Sequence, residues 1–499
     1  MKKYIKKNIY KWHKIIGLIT IIPVIFWCIS GLMHPFLAHW FKPKIAKEIF
    51  IPKPLKKEQM SFSVKQVLEK NNINALKNFR VVQFKGATYY QIKNAKNDWL
   101  YFDTQSGKEL VDGDKKYAEY LARYFLADST SEINSITKLT DFSQQYKYIN
   151  RLLPIWKVSF ERADKMDVYV ETPYSRLGTF NPTSRKIFLW IFDNFHNWAF
   201  LEIITNNTLR ITIMILFLSI ICISSLSGVI IYGFMWRKFK KPNPDNRKGM
   251  LRKYHRQIGI SVAFVSLTFA FSGAYHATRK LEPSILSEML YEPILETSEL
   301  PDSLPFKVIG KEKIINLSFV KNDTAIFHQI VLESEKGKVK KIIYINTKNN
   351  QQLENGNFKY AIFLATIFKQ NYDEKIEGNC CETGTDINKC ENTNEGILKT
   401  EEVISFETRE YGFAFKRLPV VRVSYKSPKK TNLYIETTTS RLAAKIENED
   451  RYEGYTFAIL HKFLFLDWAG KNVRDIAMML SALGVLTISV LGCVLYFKS

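Results

Sequence analysis

Four stretches of the chain are apolar and free of Asp, Glu, Lys and Arg: Ile15–Met33, Ile211–Trp236, Gln257–Thr278 and Ile476–Phe497. Each is close to the roughly 20 residues an α-helix needs to cross the hydrocarbon of a bilayer. Four buried core helices would require such runs four times over by accident. The pattern therefore predicts membrane helices at residues 15–39, 210–236, 257–278 and 475–497. The first has a basic start, but it is long for the core of a signal peptide and "CISGLMHPF" offers no small-x-small cleavage site, so it reads as a retained helix. A basic tail (1–14), a basic loop (237–256) and two long segments (40–209 and 279–474) complete the chain. Inside the long segments the period changes. "SFSVKQVLEK" has the Ser start and spaced apolar residues of a short helix. "FRVVQFKGATYYQIKN" and "DWLYFDTQSGKEL" alternate as paired strands do, and "AIFHQIVLES" and "KVKKIIYINTKNNQQL" follow more loosely. These predict two small α+β domains with strand-rich connections. The Asn-rich "CENTNEG" reads as an exposed loop.

The order of elements repeats. "RLLPIWKVSF" at Arg151 is echoed by "RLPVVRVSY" at Arg417, "YVETPYSRL" at Tyr169 by "YIETTTSRL" at Tyr434, and "FHNWAFLE" at Phe195 by "LHKFLFLDW" at Leu460. Glu171 precedes His196 by 25 residues, and Glu436 precedes His461 by 25. Each half thus reads as helix, outside domain, interfacial helix with a histidine, helix. The expected fold class is an α-helical membrane protein with four transmembrane helices in two repeated halves, related by an axis along the membrane normal.

Charge adds an orientation. Six lysines precede the first helix, and the loop 237–256 holds nine Lys/Arg against Asp245 alone. Short basic loops stay cytoplasmic. Both termini and this loop are expected inside, with the two long segments outside. These inside segments hold +15 of the net +24, so the basic excess needs no nucleic acid to explain it. Of six cysteines, Cys28, Cys222 and Cys493 fall in membrane helices. Cys380, Cys381 and Cys390 cluster in the second outside segment. Outside the cell membrane one pair is expected to form a disulfide, Cys390 with one of the other two, leaving an odd thiol; a soft-metal site is the alternative.

Six of the eight histidines form repeat-related pairs. His13 and His255 lie at the cytoplasmic ends of the first and third helices. His34 and His276 lie 21 residues further on, about 31 Å along the same axes. His196 and His461 precede the second and fourth helices. Two imidazoles at one mouth and four at the other suit a bis-histidine b-type haem, whose iron takes two neutral rings delivered by facing helices. Gly17, Gly31, Gly259 and Gly273 share helix faces with these histidines and are expected to let a flat ring approach. His39 and His328 lack repeat partners and read as surface or core residues. A lone interfacial histidine is often merely hydrogen-bonded, and membrane glycines often serve helix packing; the even count at each mouth favours the cofactor. There is no HExxH, GxSxG, P-loop or dinucleotide fingerprint, so electrons would come from a quinol or a separate cytoplasmic reductase.

"WHKIIGLI" and "YHRQIGIS", the "SG" ahead of His34 and His276, and "FHNWAFLE"/"LHKFLFLDW" resemble the PepSY-associated transmembrane helix family, and "DWLYFDTQSGKEL" resembles the closing strands of a PepSY domain (about 60–112). The resemblance covers nearly the whole chain. It implies periplasmic PepSY-like domains and a bacterial inner-membrane, iron-regulated protein. Some members are ferrisiderophore reductases that carry haem on histidines of these helices, which here are His13, His34, His196, His255, His276 and His461. The cysteine-bearing stretch 380–390 is outside the family pattern. The expectation is a conduit with two or more b haems, their iron held by these histidines, that reduces ferric siderophore to release Fe(II). Trp156, Arg176 and Arg441 are candidates to dock the chelate, unless the arginines pair with Glu171 and Glu436 inside the fold. The rival reading is a membrane-anchored PepSY-type protein that binds a peptidase or partner without redox chemistry. A permease is disfavoured, since no charge interrupts any of the four helices.

Overall fold

The computed structural model describes residues 2–235, 247–281, 289–309, 312–323, 325–333, 341–383, 396–406 and 410–497. The chain begins with helix α1 (Lys2–Pro35), then α2 (Val64–Lys70), strands β1 (Ala75–Phe84), β2 (Ala87–Asn94) and β3 (Trp99–Asp103), and α3 (Gly113–Leu126). Strands β4 (Ile133–Leu139), β5 (Ile155–Phe160), β6 (Asp167–Glu171) and β7 (Arg176–Asn181) lead into α4 (Thr183–Phe195), α5 (Asn207–Met235) and α6 (Arg247–Thr278). There follow β8 (Leu295–Glu296), α7 (Phe306–Ile309), β9 (Ile314–Asn322), β10 (Ala325–Leu332), β11 (Lys341–Asn346) and α8 (Gly356–Thr383). Strands β12 (Ile397–Val403), β13 (Val420–Tyr425), β14 (Asn432–Glu436) and β15 (Arg441–Ile446) precede α9 (Asn448–Thr456) and α10 (Lys471–Phe497).

The chain divides into two compact units, one of Met1–Pro43, Ser184–Pro283 and Glu449–Ser499, the other of Lys44–Thr183 and Ser284–Asn448. The first is helical. Spans Asn8–Trp40, Asn207–Phe234, Gly249–Thr278 and Lys471–Phe497 are long and apolar enough to cross a membrane, which makes this a multi-pass membrane protein. The helices start earlier than the apolar runs, because Lys and Arg are good helix formers and nothing stops a helix at the end of its apolar stretch. Around the bundle α1 packs on α5 and α10, and α6 packs on the same two, so α1 and α6 stand on a diagonal. Small and branched residues, among them Val24, Cys28, Leu218, Ile221, Ala270 and Val485, close the middle of the bundle. Ile22, Leu216, Phe264 and Leu480 point outward and are exposed, as lipid-facing positions should be.

The second unit holds all the strands. Ser63 caps α2 through a capping box with Gln66, the reason "SFSV" starts a helix there. Among the described residues four sheets have strand orders β3-β2-β1-β8, β11-β10-β9, β4-β5-β6-β7 and β12-β13-β14-β15, and their strands pair antiparallel. Phe79 of β1 packs on Phe319 of β9 with ring centres 4.5 Å apart, within one core.

Buried polar contacts recur at matching positions. Gln91 Nε2 donates to Tyr101 Oη (2.5 Å) and the Thr172 carbonyl (3.2 Å); Gln329 Nε2 donates to Tyr344 Oη (2.8 Å) and the Thr437 carbonyl (2.9 Å). Tyr146 Oη donates to the Leu152 carbonyl, and Tyr411 Oη to that of Arg417. The last pair corrects the sequence register. Arg151 matches Lys416, both left-handed at φ 56° and 57°, and Arg417 matches Leu152. The two motif strings differ by one residue in length, which hid the slip.

Candidate functional site

The histidines gather at the two ends of the helical unit. At the basic end, His13 on α1 and His255 on α6 face each other along the bundle diagonal, ring centres 6.4 Å apart. An imidazole nitrogen binds a first-row metal at about 2 Å and lies roughly 1 Å from its ring centre, so two rings on one ion sit on the order of 6 Å apart. The flanking helices make room with glycine. A Cβ at Gly228 of α5 would lie 3.3 Å from His13 Cε1, and one at Gly492 of α10 would lie 3.3 Å from His255 Cε1. Sequence reasoning missed both glycines, since neither shares a helix with its histidine. Beside Gly17, Gly31 and Gly259, by contrast, a Cβ would meet no protein atom within 4 Å, although all three are half-buried. Gly273 packs on Leu218.

At the opposite end each half sets a phenylalanine beside two histidines. Phe192 stacks on His196 (4.5 Å) and is tilted to His34 (6.0 Å, 52°), whereas Phe457 stacks on both His276 (4.5 Å) and His461 (4.7 Å). Each phenylalanine is four residues ahead of its histidine, a spacing that places both on one helical face. Trp27 Nε1 donates to the His196 carbonyl at 2.9 Å and holds that turn against α1.

Serines set the tautomers. Ser30, Ser227 and Ser272 each donate their one hydroxyl proton to a carbonyl of their own helix, of Phe26, Ser224 and Thr268. Each oxygen is then left as an acceptor. It takes the Nδ1 proton of His196 (3.0 Å), His13 (2.8 Å) and His461 (3.2 Å) respectively. Nε2 of all three is thereby the unprotonated nitrogen, the one a metal would use. His276 Nδ1 bonds Glu453 Oε1 at 2.5 Å. His255 has no such hydroxyl, because Leu491 stands where the other half has Ser227. Burial and neighbouring cations and imidazoles keep the rings outside the spans neutral. Burial first, then His461 and Lys280, hold His196 down at about 3; burial, His276 and Lys462 hold His461 at about 4.

These observations fit a bis-histidine haem. The ring separation suits one iron, the tautomers leave Nε2 free, and unfilled space lies beside glycines on the histidine faces. Among the described residues no three His, Cys, Asp or Glu side chains converge as a bare metal ion would need.

The remaining candidates fall elsewhere. Trp156 Nε1 donates to Asp114 Oδ2 at 2.7 Å, and Arg176 is ion-paired with Glu436 and, at 3.6 Å, Glu171. Arg417 bonds Glu436 at 2.8 Å. The Arg176–Glu436 pair joins the two chain halves inside the strand unit, so the fold uses the Arg176 head group that a docking role would need. His328 is a core residue of β10, and His39 bonds Asp475 at 2.7 Å. The backbone of Cys380 and Cys381 lies in α8, Cys390 is outside the described residues, and Cys28, Cys222 and Cys493 are free thiols.

No curated protein matches the chain. A family profile described as the PepSY-associated TM region matches residues 10–499, and to that family the chain belongs.

Proposed function

We propose that this protein is a haem electron conduit of a bacterial inner membrane that reduces ferric iron, in the form of a ferric siderophore, at periplasmic PepSY-like domains. In this reading the chain is a duplication with both termini in the cytoplasm. His13 and His255 would hold one b haem, and His34, His196, His276 and His461 one or two more. The single observation that carries the reading is the His13–His255 pair, two imidazoles on diagonal helices at the spacing of a shared iron. Haem b, when bound, would supply one-electron transfer across the apolar bundle. The chain's own part is to hold the rings neutral, fix their tautomers through serines and Glu453, and exclude water with the plug of Val24, Leu218 and Val485. Iron(III) is held tightly by the hard oxygen donors of a siderophore, and iron(II), being softer, is held far less tightly, so one electron releases the metal. The donor would be a quinol or a cytoplasmic reductase.

The test is the visible spectrum of the detergent-purified protein before and after dithionite, with a pyridine haemochrome count. Two or more haems per chain are expected, with one lost in His13→Ala and in His255→Ala. A colourless protein after expression with added haem would overturn the proposal and favour the PepSY-type binding protein instead.

A further inference from the structure

Most of the histidine end is built twice, and what breaks the repeat points to a task done once. His34, His196, Ser30 and Phe192 have counterparts in His276, His461, Ser272 and Phe457. His39 has none, for Leu281 stands at its position, and the stretch of α5 that matches the start of α10, Leu209–Ile211, has no carboxylate to match Asp475. Yet these two unmatched residues meet. His39 Nδ1 lies 2.7 Å from Asp475 Oδ2, and the carboxylate is only 5% exposed. His39 sits in a π-helical turn, Phe36–Trp40, that finishes the first membrane span, and such turns are common at functional sites. The pair is braced. Trp40 Nε1 donates to Asn472 Oδ1 at 2.9 Å, and Arg474 reaches both Asp475 (3.6 Å) and Asp467 (2.5 Å).

The acceptor logic of the site is simple. An ionised Asp475 can only accept, so His39 Nδ1 carries the proton between them, and Nε2 is left with its lone pair. The buried carboxylate thus fixes which ring nitrogen can take up a proton. Around it lie aromatic faces: Trp40 stacks near His39 (6.1 Å, 25°), and Phe36 and Phe41 stack on each other (6.2 Å, 8°) and are exposed. A general base among exposed aromatic rings, at the end of a membrane span, meets what dissolves in the bilayer before anything else.

We infer that His39 and Asp475 form an oxidation site for a lipid-soluble hydroquinone, with His39 as the catalytic base and Asp475 as its positioning residue. This rests on the redox reading above and names its donor. One hydroquinone O–H breaks as its proton passes to His39 Nε2; after His39 has discharged to water, the second hydroxyl proton leaves the same way. Two electrons leave singly for two ferric ions. One hydroquinone and two Fe(III) thus give one quinone, two Fe(II) and two protons. His39 follows His34 by five residues, about 7 Å along a helix axis, so the proton and electron paths start close together.

The experiment uses the full-length, haem-loaded protein in detergent with duroquinol as donor, and duroquinone in equilibrium calorimetry. Wild-type protein should bind duroquinone saturably, and duroquinol should reduce its haem band. His39→Gln and Asp475→Asn should slow duroquinol reduction about 100-fold and leave the dithionite-reduced spectrum unchanged. Asp475→Glu should recover most of the rate. Variants with wild-type duroquinol rates, or a wild-type protein that binds no duroquinone, would overturn the inference. A protein without haem fails the earlier proposal instead, and its spectrum shows that before any donor is added.

Discussion

His328 is a titratable ring with nowhere to put a charge. It is 1% exposed in β10, its Nδ1 has no hydrogen-bond partner among the described residues, and its ring lies 5.1 Å from that of Phe319. Burial holds its pKa down at about 4, against about 6.5 for a free imidazole. Between those values the unfolded chain binds a proton that the folded strand unit refuses, so stability rises with pH there. It is complete above about 6.5 and falls as pH drops toward 4, by roughly 3 kcal/mol in all. Hydrogen exchange of β9–β11 amides across that range should record the slope, and His328→Leu should remove most of it. An equal slope in both proteins would mean that another group titrates. The sequence offered surface or core for this residue without deciding. It did single out the six paired histidines, because the repeat marks each of them twice. Their partners Ser30, Ser227 and Ser272 were out of reach, since nothing local says which distant ring a serine will meet. Asp475 was hidden for the same reason, being 436 residues from His39.

At the scale of elements, local pattern succeeded where one segment suffices and failed where two must meet. The capped α2, the β1–β2–β3 meander and the four long helices announce themselves through caps, alternation or sheer apolar length. Helices α3 and α8 went unpredicted, although Tyr117, Ala118, Leu121, Ala122 and Phe125 recur at helical spacing along the buried face of α3. Each begins with a glycine pressed on a buried tyrosine. A Cβ at Gly113 would lie 2.5 Å from Tyr101 Cβ, and one at Gly356 would lie 2.7 Å from Tyr344 Cδ2. Both tyrosines are almost fully buried and bonded to Gln91 or Gln329, so neither can swing away. Alanine is the better helix former by about 1 kcal/mol, but overpacking of this kind costs about 1–3 kcal/mol. Gly113→Ala and Gly356→Ala should therefore destabilise, by up to about 2 kcal/mol once the two are set against each other, read from denaturant midpoints followed by tyrosine fluorescence. A gain in stability at either site would show that the helix start shifts freely.

Across the whole molecule, neither chain half can complete either unit. The histidine pair at the basic end takes one ring from residues before 236 and one from after 246. In the strand unit, β8 of the later half extends the sheet of the earlier one, and Phe79 and Phe319 share a core. There Glu436, fully buried, is held as an anion near pKa 2 against its own burial by Arg176 from the other half and by Arg417. Removing one partner of such a buried pair strands the other, at a cost of about 3–5 kcal/mol. Residues 1–240 made alone would leave Arg176 without Glu436, expose the Phe79 face and supply His13 without His255. They should be degraded or aggregate, and should show no haem band as a monomer. Co-expression with residues 241–499 should restore both the yield and the spectrum, with the two pieces copurifying. A monomeric first half with the full haem complement would mean that the histidines pair within a half, and the diagonal arrangement of His13 and His255 would lose its meaning. A haem-bearing dimer of first halves would say the opposite: that His13 can stand in for His255, as it would if an ancestral pair of identical chains had been joined into one.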